Sequence, residues 1–187
     1  MYDTKLPQRV QDIEQAKSLL AKAGRSNLTV TLVTSAIGSG TVQVAQILKQ
    51  QAAEAGVTVN LEEVTSSELF GPNYLSWTFA QDYWKYYPYF SNVAQATLAG
   101  AAFNECHTDN AAYTSLYKQA LATLDGHKRA DIAHEMQQME YSGTASGYII
   151  PYFNPVIDGY ASRVNGVVSS KTGLPLGAYG FKNMWLS

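Results

Sequence analysis

Apolar residues recur at helical spacing from Asp12 to Ala23, where Ile13, Ala16, Leu19, Leu20 and Ala23 share one face. Asp12 stands where an N-cap is needed and Gly24 where a helix stops. The period then changes. From Leu28 to Val33 apolar residues alternate with threonine, which predicts a strand. The loop Ser35–Gly40 follows, and Thr41 to Ala55 is again helical, with Val44, Ile47, Leu48, Gln51, Ala52 and Ala55 on one side and Gly56 closing it. Alternation returns from Val57 to Val64 as a second strand. Strand, helix and strand with so short a crossover predict a parallel pair joined right-handedly.

Ser66 or Ser67 is placed to cap a short helix ending near Gly71-Pro72. The aromatic-rich run Trp77 to Trp84 is expected as a third strand, and a helix over Phe90 to Leu98 follows. Asp109 or Asn110 caps a helix carrying Tyr113, Leu116, Tyr117, Ala120, Leu121 and Leu124. Asp125 caps another that buries Ile132, Met136 and Met139. Tyr148 to Phe153 and Tyr160 to Val164 read as short strands. The tail, punctuated by Gly173, Pro175, Gly177 and Gly180, is expected to pack without a regular element of its own.

Composition narrows the function classes. A chain of 187 residues supports one sizeable core or one domain with an appendage. A formal charge of −2 gives no basic field for nucleic acid. No stretch approaches the ~18–20 apolar residues of a membrane span. Met1-Tyr2-Asp3-Thr4 opens no apolar leader core. At face value that points to the cytoplasm; for an excised chain it carries no weight. One cysteine, Cys106, excludes an internal disulfide and leaves the redox compartment open. The 13 tyrosines, many between Tyr74 and Tyr89, suit a ligand surface of flat apolar area with hydroxyl handles.

Three segments are candidates for chemistry. Ser35–Gly40 lacks the residues of a phosphate loop and reads as a β-to-α turn. Such a turn still lies at the carboxyl end of the strands, where α/β sheets bind ligands. Glu105-Cys106-His107-Thr108-Asp109 is the densest polar cluster and admits a metal site or a hydrolase using Glu105, Cys106 or His107. Cys106 and His107 are chain neighbours, however, so one is poorly placed to serve the other as base, and His127 and His134 lie on elements other than this loop. A structural or ligand-lining loop is the expected reading. Trp77, Tyr83, Trp84, Tyr86, Tyr87, Tyr89 and Phe90 are too many consecutive aromatics for one core, so some face a cleft or a partner. Asp82 within them is at a sheet edge, paired, or aimed at a cationic ligand group.

Six motifs, in order along nearly the whole chain, resemble the C-terminal part of the extracellular solute-binding proteins, family 5, the peptide receptors of bacterial ABC importers. They are Ala16–Gly24 (AKSLLAKAG), Gln46–Val59 (QILKQQAAEAGVTV), Trp84 with Pro88, Asn104-Glu105 with His107 and a following Arg129, Gly147–Pro151 (GYIIP), and Val164-Asn165-Gly166. Two departures stand beside them. Asp82 precedes Trp84, whereas many members carry Trp-x-x-Asp-Tyr with an Asp that receives the peptide's amino group, and Ser142–Ser146 lacks the expected Asp-x-Gly-Gly.

The resemblance implies an α/β fold, a periplasmic-binding-protein-like lobe with a mixed sheet flanked by helices. Residues 1–11 would be a hinge or connecting segment, 12–153 the ligand-binding lobe, and 154–187 a return toward a missing N-terminal lobe of the same protein. It implies a non-enzymatic, periplasmic or extracellular receptor with no cofactor and no metal. Its partners would be a peptide or other small solute and the membrane permease, with a dimer of the fragment through an exposed apolar patch on the tail Phe181–Leu186. The residues implied in ligand contact are Asp82, Trp84, Tyr86, Tyr87, Asn104, Glu105 and His107. A hydrolase, or a sensory domain built on the same fold, is the competing expectation.

Overall fold

The computed structural model describes residues 1–170, 172 and 174–187, and Gly173 lies outside the described residues. The chain divides into two compact units, Asp3–Tyr83 and Trp84–Ser187 with Met1–Tyr2.

In the first unit, α1 spans Ile13–Lys22. Asp12 caps it by accepting the Gln15 N–H at 2.8 Å, and Gly24 ends it with φ +66°, a conformation that suits glycine. The shared apolar face of α1 is not covered: α1 buries no residue, and Leu19 is 58% exposed. Strands β1 (Thr29–Thr34) and β2 (Thr58–Glu63) pair in parallel from Thr29–Thr58 to Thr34–Glu63. The intervening α2, Thr41–Glu54, covers them. The core here is Leu32, Ala45 and Val59, flanked by Leu48, Ala52, Leu61 and Phe79. The buried stripe of α2 thus runs through Thr41, Ala45 and Ala55 rather than through Val44 and Ile47, and Ile47 is half exposed. Small side chains let the helix lie close to the sheet, which turns the bulkier ones outward.

The short helix α3, Ser66–Leu69, is capped by Thr65, whose hydroxyl accepts the Glu68 N–H at 3.2 Å, and not by Ser66 or Ser67. The expected third strand over Trp77–Trp84 does not form. Only Ala80 bridges Val33, in parallel, through Val33 N–H to Phe79 O at 3.0 Å and Gln81 N–H to Val33 O at 2.9 Å. Phe79 enters the core, while the Trp77 indole turns away to donate to Leu69 O at 3.0 Å. That competing bond and the turns before it leave one rung of a ladder.

The second unit is helical: α4 (Tyr89–Ala96), α5 (Ala111–Ala122) and α6 (Gly126–Tyr141). Asn110 caps α5 through the Tyr113 N–H at 3.0 Å, and Asp125 caps α6 through His127 N–H at 2.9 Å and Lys128 N–H at 3.1 Å. The short link between α5 and α6 makes a helical hairpin. Arg129 Nη1 donates to Thr123 O at 3.4 Å beyond the carboxyl end of α5, where a cation is favoured. The core is Val93, Tyr113, Met136 and Ala145, with Ile132 and Met139 against it. Leu121 and Leu124, read as part of this helix, are both exposed, and Leu124 lies beyond its end. Across the three helices, the buried Tyr113 hydroxyl donates to the Glu140 carboxylate and lies 3.5 Å from the Tyr89 hydroxyl.

Tyr148–Phe153 and Tyr160–Val164 are not strands as expected. The stretch has no regular structure until β3, Val164–Asn165, because it meets no sheet edge. The tail does acquire an element: β4, Trp185–Leu186, pairs antiparallel with β3. Gly166 makes that pairing possible. Its φ is +79°, and a Cβ there would lie 2.0 Å from Asn183 O and 2.6 Å from the Trp185 ring.

Candidate functional site

The carboxyl ends of β1 and β2 form one candidate site. A shallow depression of about 580 Å³ there is lined by Ser35, Ala36, Glu63, Val64, Thr65 and Ser66. The bridge at Ala80 brings the next residues beside this edge, where the buried Thr34 hydroxyl donates to Gln81 Oε1. Asp82 follows directly. Its carboxylate accepts the Tyr83 N–H at 2.6 Å and the Tyr74 hydroxyl at 3.4 Å. Phe70 sits edge-on to both Tyr74 and Tyr83, with centroids 5.5 and 6.4 Å away. The result is a half-buried carboxylate that accepts one tyrosine hydroxyl, next in sequence to a ring of the Phe70–Tyr74–Tyr83 cluster. The sequence singles out Asp82 but not Phe70 or Tyr74. The tyrosine clustering was the available signal for Tyr74; Phe70 had none.

The second unit builds a separate group. The Trp84 ring meets the edges of Tyr87 and Phe103, centroids 6.3 and 6.0 Å away, and its Nε1–H donates to Glu105 Oε2 at 3.4 Å. Tyr86 is half exposed and hydrogen-bonds Tyr2. Tyr148, read only as a strand start, belongs here. Its hydroxyl reaches Ala96 O and Phe103 O, both at 3.3 Å, and also Glu105. Burial, then the Glu105 charge, push that phenol well above its ordinary range, so it stays a neutral donor.

Asn104 is occupied by the loop itself. Its amide Nδ2 donates to Thr108 O and its Oδ1 accepts the Thr108 N–H, each at 2.9 Å. This two-point clamp closes the loop around His107, which is held at φ +49° with its side chain exposed. Glu105 and His107 are therefore presented by a loop whose shape Asn104 maintains. Cys106 points instead toward Gly147, in an open depression of about 320 Å³ also lined by Thr108, Asp109, Asn110 and Gly143 to Ser146. Burial raises the thiol's pKa, the opposite of what a thiolate nucleophile requires. Among the described residues, no group of three or more His, Cys, Asp or Glu side chains is arranged to hold a metal ion.

The model of the bacterial extracellular solute-binding proteins, family 5 middle, matches residues 1–118. No curated protein matches the chain. Among solved structures, the chain is similar to the periplasmic binding protein DppA from Helicobacter pylori in complex with the peptide STSA, with 17% identity and TM-score 0.74 over 99% of this chain and 36% of that one. It is similar to the oligopeptide-binding protein AppA from Bacillus subtilis in complex with a nonapeptide, with 15% identity and TM-score 0.69 over 98% and 40%. It is also similar to NikA from Staphylococcus aureus in complex with Ni(L-His)2, with 24% identity and TM-score 0.60 over 74% and 32%. The chain thus spans well under half the length of these structures and shares their fold, the periplasmic-binding-protein fold.

Proposed function

Since the chain belongs to the bacterial extracellular solute-binding proteins of family 5, we propose that it is one ligand-binding part of the receptor of an ABC importer that captures peptides. The family and the structures similar to the chain are binding proteins of ABC importers, found outside the cytoplasm. In this reading residues 12–153 belong to one lobe, 1–11 hinge it, and 154–187 return toward a missing N-terminal lobe. Closure of the lobes on the ligand is what the permease reads. The receptor works in the periplasm or extracellular space, held at the membrane through its transporter.

The observation that carries the reading is Asp82, a half-buried carboxylate that accepts the Tyr74 hydroxyl and the Tyr83 N–H and follows the Ala80 bridge to a parallel strand pair. A peptide's amino-terminal ammonium suits that carboxylate. Trp84, Tyr86 and Tyr87 offer flat apolar area to side chains without demanding a sequence. Glu105 and His107 hydrogen-bond the ligand's main chain or charged ends, and Asn104 serves by holding their loop. Against the hydrolase reading stands the raised pKa of the Cys106 thiol.

Calorimetric titration tests this. The 187-residue chain, and a longer chain carrying it with a second lobe, are titrated with short peptides bearing free or acetylated amino termini. We expect the two-lobed protein to bind the free peptides, with weak binding or none by the single part, whose buried ligand area is smaller. Asp82→Asn should erase the preference for a free terminus. Equal binding of acetylated peptides would remove Asp82 from the role, and binding of a nickel–histidine complex alone would remove peptides as the ligand class.

A further inference from the structure

Glu105 is gripped by one hydroxyl from a stretch of the second unit far away in sequence. The Tyr148 phenol bonds the Glu105 carboxylate and also accepts the Glu105 main-chain N–H. One oxygen that touches a residue both at its backbone and at its side-chain tip narrows the rotamers between them. The Trp84 Nε1–H adds a third contact, donating to Glu105 Oε2 at 3.4 Å, and edge contacts with Tyr87 and Phe103 set the direction of that indole. The phenol is anchored in turn. Its oxygen lies 3.3 Å from Ala96 O, at the end of α4, and 3.3 Å from Phe103 O. A carboxylate accepts at about four lone-pair positions, more than an indole and a phenol can fill.

We propose that Tyr148 is a positioning residue that aims the Glu105 carboxylate at a hydrogen-bond donor of the ligand, a peptide N–H or an ammonium. The inference rests on the reading of Glu105 as a ligand contact. It adds the residue that sets the direction of the carboxylate and the kind of group the carboxylate receives. A free glutamate would have to be ordered when the ligand arrives, whereas one already held by Tyr148 and Trp84 is not. Ordering one long side chain on binding corresponds to roughly 3- to 10-fold in affinity.

A double-mutant cycle in the two-lobed protein, titrated calorimetrically with short peptides bearing free amino termini, tests it. Glu105→Ala should weaken binding at least about 10-fold. Tyr148→Phe removes only the hydroxyl and should weaken binding roughly 3- to 10-fold. Where Glu105 is already alanine, the same change should cost less than about 2-fold, the spread of independent effects. A hydroxyl that merely tied Ala96 to the 101–108 loop would cost the same in both backgrounds. The 187-residue chain gives a second readout that needs no ligand. Its Trp84 indole N–H resonance, identified by its loss in Trp84→Phe, should move in Tyr148→Phe toward its position in Glu105→Ala, because a released carboxylate leaves the indole. Binding that weakens with Glu105→Ala but not with Tyr148→Phe, equal Tyr148→Phe costs in the two backgrounds, or an unmoved indole resonance would each overturn the proposal and leave Glu105 in the ligand site. Glu105→Ala without effect would remove Glu105 itself from that site, and the role of Tyr148 with it.

Discussion

Replacing Tyr113 by Phe removes one oxygen from the core of the second unit, and its cost should grow with pH. The Tyr113 hydroxyl is fully buried and donates to Glu140, which it shares with the Tyr89 hydroxyl. Burial raises the Glu140 pKa, while the two hydroxyls pull it back down, Tyr113 more than Tyr89. In the wild type the folded pKa therefore lies above the unfolded value of about 4.3. Between those two values the native state holds more proton than the unfolded state, so Glu140's contribution to stability falls as pH rises through the window. Without Tyr113 the folded pKa moves higher and the fall continues further. At a pH below both values the lost bond is between neutral groups, about 0.5–1.5 kcal/mol; at a pH above the folded value it is a bond to a carboxylate, about 1.5–3 kcal/mol. Urea denaturation at both pH values measures the difference. At an m-value near 2 kcal/mol/M, the midpoint should drop by about 1 M at the higher pH. Glu140→Gln should flatten the dependence in both backgrounds. A Tyr113→Phe cost that is equal at the two pH values, or larger at the acid one, would refute the reasoning.

Asn104→Ala should cost about 1–3 kcal/mol, because two half-buried backbone groups of Thr108 lose their partner. Asn104→Asp should recover part of it, keeping the acceptor for the Thr108 N–H but not the donor for its carbonyl; denaturation midpoints rank the three. Gly166→Ala should cost at least about 1–2 kcal/mol for the left-handed backbone alone. With Asn183 O so close, it should also part β3 from β4, seen as faster amide exchange at Asn165, Trp185 and Ser187, whose N–H bonds Arg163 O at 3.0 Å. Asp12→Ala removes the α1 cap, worth about 1 kcal/mol to the helix. Since α1 buries no residue, exchange over Ile13–Lys22 should quicken while the midpoint of global unfolding stays within error.

The elements with local causes were readable from the residues alone. Asp12, Asn110 and Asp125 cap helices because a short acceptor side chain reaches amides two or three residues on. The parallel pair β1–β2 follows from two alternating runs joined by one helix, and Asp82, Trp84 and Glu105 were selected by residue type among aromatic neighbours. Composition and pattern said that the chain is α/β, without a basic field for nucleic acid, and rich in aromatic area of a kind that suits a ligand surface.

Tertiary structure decided whatever depends on a partner distant in sequence. Trp77–Trp84 and Tyr148–Phe153 have the composition of strands, but a strand needs an edge to bond; the first found one rung and the second none. Which face of α2 is buried was settled by the packing of Ala45 with Leu32 and Val59 of the strands rather than by period alone. The reciprocal pair of hydrogen bonds between Asn104 and Thr108 and the reach of Tyr148 to Glu105 were equally beyond a linear reading. Periodicity reports the environment a residue prefers, and only the folded chain determines whether another segment arrives to provide it.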